Sequence, residues 1–105
     1  KYRHAILILG HALFGTWEAG CAIVRDHANT YLELTAVVGK RGVVEQLVAG
    51  AGSERILYGT DLPWFDEHHY IGNILAADIT DEDRHNIFHR NAEKILQATA
   101  TKLAL

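Results

Sequence analysis

Apolar positions along this chain follow two rhythms, and the switches between them mark out its elements. Ala5-Ile6-Leu7-Ile8-Leu9 is an unbroken apolar run halted by Gly10, short enough to read as a buried strand. His11 follows at once. From Thr16 the spacing becomes helical, with Trp17, Cys21, Val24 and Ala28 recurring on one face. Thr16 is placed to cap this helix, Glu18 lies in its first turn and Asn29 is a plausible stop, so a helix is predicted over Thr16–Ala28. Tyr31–Thr35 reads as a second strand, with Leu32 and Leu34 on one face and Tyr31, Glu33 and Thr35 on the other. A turn with two cations, Gly39 to Gly42, leads to a short helix over Val43–Ala49. Val44, Leu47 and Val48 point inward there, and Gly50 and Gly52 stop it. Arg55–Tyr58 is the third strand. Beyond the following loop, Glu67–Ala77 is predicted helical with Tyr70, Ile71, Ile74 and Leu75 on its apolar side. Thr80, with Asp83 three residues on, has the form of a capping box and opens a helix that buries Ile87 and Phe88. Asn91 is expected to cap a last helix, with Ile95 and Leu96 inward, running toward Leu103. The weakly patterned tail, 98–105, is expected to fray.

Strands alternating with helices predict an α/β fold with a parallel sheet. Strands this continuously apolar call for cover on both faces, more than these helices supply. The 105 residues form one α/β unit without repeat or linker, and they contain no methionine, even at position 1. Both features lead to the expectation of a piece of a longer protein. The net charge of −3, with no basic block, argues against nucleic acid or an anionic membrane as partner. No apolar run is long enough to span a bilayer. Cys21 is the only cysteine, which rules out an intrachain disulfide and fits a reducing, cytoplasmic setting. Its place on an apolar helix face makes it a packed core thiol.

Three polar groups fall at or near strand C-terminal ends: His11, Glu33 or Thr35, and Asp61. Parallel strands present those ends on one rim, so the groups can converge. Asp61, just past Arg55–Tyr58 and before the Leu62-Pro63 step, is the first candidate, against the alternative that it merely closes a turn. A histidine and an aspartate on one rim can ligate a divalent metal or act as an acid/base pair. Glu33 is expected before the strand end, as an interior acid paired with an arginine or lysine. His68 and His69 are adjacent, about 100° apart on a helix, and read as a polar face. His85 and His89, four apart, have a spacing that can chelate a metal, but a solvated helix edge is the simpler reading. His4 precedes the first strand, and His27 suits a helix C-terminus. Gly10, Gly15 and Gly20 lack the spacing of a dinucleotide-binding loop.

Ile-Leu-Gly-His at 8–11, Tyr-Leu-Glu-Leu-Thr at 31–35, Glu-Arg-Ile-Leu-Tyr-Gly-Thr-Asp-Leu-Pro at 54–63, Asp-Glu-Asp-Arg at 81–84 and Asn-Ala-Glu-Lys-Ile-Leu at 91–96 occur in an order that resembles the C-terminal part of the amidohydrolase-related family. That group contains metal-dependent hydrolases and non-oxidative decarboxylases. The resemblance implies a (β/α)8 barrel, of which this chain would supply strands six to eight with their helices, the family's other metal ligands lying on earlier strands. It implies that His11 is the strand-six histidine, acting as acid/base or lining the metal site, and that Asp61 is the strand-eight aspartate, which binds metal and moves a proton. The expected cofactor is a divalent metal, zinc first and manganese second. Trp64 and Phe65, just past the rim, are candidates to line a small-molecule substrate. The function implied is C–N or ester hydrolysis by a metal-activated water, with decarboxylation the alternative. A non-catalytic half-barrel that assembles through its strand edges is the reading from another class. The expected partners are accordingly the missing N-terminal half of the barrel or further copies of the chain.

Overall fold

The structure, a computed structural model, describes residues 4–37 and 39–103. Three strands, β1 (Leu7–Leu9), β2 (Thr30–Glu33) and β3 (Ile56–Leu57), pair in parallel in the order β1-β2-β3. Leu7 lies opposite Thr30, and Leu32 opposite Ile56. Chain order and spatial order coincide, so each strand is laid beside the one before it, as the alternating pattern predicts. The helices are α1 (Trp17–Asp26), α2 (Val43–Ala51), α3 (Glu67–Ala76), α4 (Asp81–His85) and α5 (Asn91–Leu103), with a π-helical turn over Asn86–Arg90.

The core lies on one side of the sheet. Thr30, Leu32 and Ile56 are buried there with Cys21 and Val24 of α1 and Val43, Val44 and Leu47 of α2. The two helices approach closely: a Cβ on Gly50 would come within 2.8 Å of Cys21 Sγ. On the opposite side Tyr31 and Glu33 are only half-buried. Leu7 and Ile8 of the edge strand are 56% and 50% exposed, so the cover that their composition calls for is not supplied by these helices.

Several local expectations change. All three strands are shorter than the apolar runs that carry them. β3 loses Arg55, which sits in a tight turn over Ser53–Arg55, and Tyr58. The Arg55 guanidinium leaves the strand's task altogether: it donates to the carbonyls of Val24, His27 and Thr30, tying the end of α1 to the start of β2. Thr16 does not cap α1, because its hydroxyl donates backward to the Leu13 carbonyl at 2.6 Å. α1 ends at Asp26, which leaves Ala28 exposed beyond it. Leu75 and Leu96 are 56% and 67% exposed rather than inward. The Thr80–Asp83 capping box forms in both directions, Asp83 N–H donating to the Thr80 hydroxyl and Thr80 N–H to the Asp83 carboxylate.

Asn91 is the largest departure. Its backbone is helical and continuous with the π turn, so it is no N-cap. Its side chain is fully buried and donates to the carbonyls of Ser53 and Ile56, both at 2.8 Å. Asn86 of the same turn donates to the Ser53 hydroxyl at 3.1 Å. The two amides bolt the C-terminal helix to the entry of β3. Of the tail expected to fray, residues through Leu103 are helical, and 104–105 lie outside the described residues.

Candidate active site

His11 leaves β1 in a left-handed turn: His11, Ala12 and Leu13 have φ of 58°, 47° and 57°. Such a run costs L-residues on the order of 1 kcal/mol per position and is kept only where surrounding contacts enforce it. Two contacts fix this one. The His11 backbone N–H donates to the Glu33 carboxylate at 3.3 Å, and its ring Nδ1 lies 3.0 Å from the Thr35 carbonyl. A carbonyl only accepts, so in the neutral ring Nδ1 carries the hydrogen and Nε2 keeps a free lone pair. Fixing one ring nitrogen on a backbone carbonyl is how proteins orient a histidine that ligates or takes a proton through the other.

Glu33 closes β2 and is the hub of the rim. Its carboxylate accepts from the Thr35 backbone N–H at 2.6 Å and from the Thr35 hydroxyl, besides His11. The arginine or lysine partner expected for Glu33 is absent among the described residues; neutral N–H and O–H donors satisfy it instead. This arrangement dictates the residue on the next strand. A Cβ at Gly59 would fall 1.9 Å from Glu33 Oε1 and 2.7 Å from Thr35 Oγ1, so only glycine lets the carboxylate lie there.

Asp61 follows two residues later, exposed and left-handed at φ 56°. Its carbonyl accepts from Trp64 N–H at 2.9 Å, so it does close a turn, while its carboxylate has no hydrogen-bond partner among the described residues. The turn-closing reading of Asp61 therefore holds for its backbone, and its carboxylate is left unengaged. His11 and Asp61 stand past the ends of β1 and β3 with Glu33 between them on β2. Neighbouring strands lie about 4.8 Å apart, which sets the span between the two outer strand ends at roughly 10 Å. No hydrogen bond or ion pair joins His11 to Asp61 among the described residues. Trp64 is 79% exposed, whereas Phe65 packs edge-on against Tyr70 of α3 at 5.9 Å.

The donor chemistry fits a divalent metal in part. A histidine nitrogen with a free lone pair and an unengaged carboxylate are zinc-type ligands, two of the three that a catalytic zinc takes from protein. Among the described residues the three metal-type donors closest to one another lie elsewhere, at Asp66, Glu67 and His68. Asp66 caps α3, accepting from His68 N–H and from the His68 ring, both at 2.9 Å. These bonds hold the Asp66 carboxyl below its ordinary range and raise the His68 imidazole above its own. Lys40, Arg41, His68 and His69 line one open cleft together with Gly72 and Asn73. The sequence shows the two cations and the two histidines, but not that the loop after β2 and the start of α3 bring them together.

A model of the amidohydrolase family matches residues 2–98. The chain belongs to the amidohydrolase family. Two solved structures have the same fold over 90% of this chain, with a TM-score of 0.68 and 19% identity: a 2,6-dihydroxybenzoate decarboxylase in complex with 2,6-dihydroxybenzoate and the 2,6-dihydroxybenzoate decarboxylase from Rhizobium. This amidohydrolase chain spans 35% of the length of each. A search of curated proteins finds no match. The expected parallel strand–helix alternation is thus the architecture of part of a larger α/β enzyme fold.

Proposed function

We propose that this amidohydrolase chain carries the acid/base rim of a metal-dependent enzyme acting on a small molecule, with hydrolysis of a C–N or ester bond as the reaction. The observation that carries this reading is the His11 ring, fixed through Nδ1 on the Thr35 carbonyl with Nε2 left free, on the same rim as the unengaged Asp61 carboxylate. His11 and Asp61 would hold a divalent metal, zinc ahead of manganese; divalent metals are general to the family. When bound, such a metal polarises a substrate oxygen and acidifies a water. The single lone pair of His11 Nε2 serves one task at a time: off the metal it accepts a proton or returns it to a leaving group, while the second oxygen of Asp61 takes the proton that the nucleophile sheds. Glu33 moves no proton: it holds the His11 backbone in its left-handed turn, and with it the ring. Trp64, exposed after the Asp61 turn, and Phe65 would line an aromatic or apolar part of the substrate.

Decarboxylation is the second reading. It is favoured by the fold match to a decarboxylase and by the cleft of Lys40, Arg41, His68 and His69, which suits a carboxylate. The experiment that separates them uses the intact enzyme containing these residues, in 18O-labelled water, against p-nitrophenyl acetate, N-acetyl amino acids and 2,6-dihydroxybenzoate. Hydrolysis places 18O in the product acid; decarboxylation releases CO2 and gives an organic product, short of one carboxylate, that takes up no 18O in the reaction. Under either reading Asp61→Asn lowers turnover at least 100-fold, in the range for loss of a proton-transfer group, without changing the folded circular dichroism spectrum. Full activity in that variant would remove the proposal.

The partner follows from the sheet. The half-exposed β1 edge and a chain covering 35% of its structural neighbours support completion of the sheet by preceding barrel strands, with a second copy of the chain as the alternative.

A further inference from the structure

Away from the strand rim, the junction of α4, the π turn and α5 carries a row of polar side chains that the reaction does not use. His85 Nδ1 lies 3.2 Å from His89 Nε2, and His89 Nδ1 lies 3.0 Å from the Glu93 carboxylate. The two imidazole planes meet nearly at right angles. All three side chains are exposed, so the row is open to solvent.

We propose that His85 and His89 form a second, two-imidazole binding site for a first-row transition-metal dication, oriented by Glu93. The distances carry the argument. Zinc binds imidazole nitrogen at about 2.0–2.1 Å, and two such ligands at a tetrahedral angle stand about 3.3–3.4 Å apart. The observed 3.2 Å separation is therefore close to the bite that a metal needs, with no rotation of either helix. Proton placement agrees. The Glu93 carboxylate only accepts, so the neutral His89 ring carries its hydrogen on Nδ1 and turns the Nε2 lone pair toward His85. A carboxylate behind a histidine in this way fixes the ring and raises its basicity as a ligand. In the metal-free protein His85 Nδ1–H donates to that lone pair. The metal takes the place of this hydrogen, which passes through solvent to His85 Nε2, so the ring stays neutral. The backbone beneath is held: Asn86 and Asn91 are buried and bonded to the Ser53–Ile56 segment on either side of His89. The site is independent of the proposed reaction and shares none of its residues.

Titration calorimetry with NiCl2 or ZnCl2 on the full chain, in a non-chelating buffer, tests the proposal. Titration of a His11→Asn/Asp61→Asn variant separates this site from the strand rim. The double variant should keep the His85–His89 binding event. His89→Gln should weaken it at least tenfold, and Glu93→Gln should weaken it about tenfold, as loss of an orienting carboxylate does. Copper should bind more tightly than either nickel or zinc, as intrinsic affinity for nitrogen sites dictates. Electron paramagnetic resonance of the Cu(II) form should show two imidazole nitrogens in the parent and one in His89→Gln. Affinity unchanged in His89→Gln, or binding abolished by His68→Gln alone, overturns the proposal.

Discussion

Gly59 and Glu33 form a pair in which each side chain, or its absence, explains the other. The Glu33 carboxylate lies where the Cβ of any other residue at 59 would be, and from there it reaches His11 and Thr35. Gly59→Ala must displace the carboxylate and with it the donor bonds that hold the rim. Overpacking of this kind costs about 1–3 kcal/mol, and chemical denaturation would measure it. Glu33→Ala removes the obstruction, so the double variant should lose less than the sum of the singles, a coupling of about 1 kcal/mol or more. Equal and additive losses would mean that the two residues do not meet. In the sequence, the Gly-Thr-Asp step reads only as a strand end before a turn; nothing local marks Gly59 as the seat for a group 26 positions earlier. The placement of His11 and Asp61 past the ends of β1 and β3 is legible because each follows an apolar run that stops at a glycine. The Glu33 partners were not legible, since hydrogen bonding to neutral donors leaves no charge pattern to read.

At the scale of elements, the helices whose ends are set by local chemistry agree best with their sequences. The Thr80–Asp83 box forms as read, since its bonds span three residues. The hydroxyls of Ser53 and Thr80 hold the Asp83 carboxyl below its ordinary range. A depressed carboxyl stabilises the fold above its unfolded pKa and loses that contribution as pH falls through the folded value. Stability should therefore drop as pH is lowered below about 4, the ordinary aspartate range. Asp83→Asn should flatten part of that acid limb in pH-dependent thermal melts. Asn91 teaches the opposite lesson. An asparagine before an apolar helical run reads as a cap, yet its amide is spent on two carbonyls 35 and 38 residues away. Asn91→Ala removes this donor from the Ile56 carbonyl in the core, while the Ser53 carbonyl keeps the Ile56 N–H, and loss of such a buried partner costs about 1–3 kcal/mol. Urea unfolding should show that loss, while substitution at an exposed true cap would cost about 1 kcal/mol. Leu75 and Leu96 were misplaced for a related reason: helical periodicity identifies an apolar stripe but not whether a neighbour exists to cover it.

For the molecule as a whole, the order of elements sufficed to predict a parallel sheet, and the composition of the strands predicted more cover than these helices give. Leu7 donates from its backbone N–H to Asn29 on the β2 side. Alternation along a parallel strand turns the Ile8 N–H outward, beside its half-exposed side chain. That edge has a colloidal consequence. An open strand with apolar side chains is a template for other strands, so this chain's self-association should grow with concentration. Light scattering should rise as the chain is concentrated and, under the proposed completion of the sheet, fall when further barrel strands are supplied in trans. Ile8→Lys should suppress the rise, because a charged edge residue blocks further pairing. The same open row of backbone groups that would let the sheet continue into a larger fold should thus make the unpartnered chain a seed for precipitation.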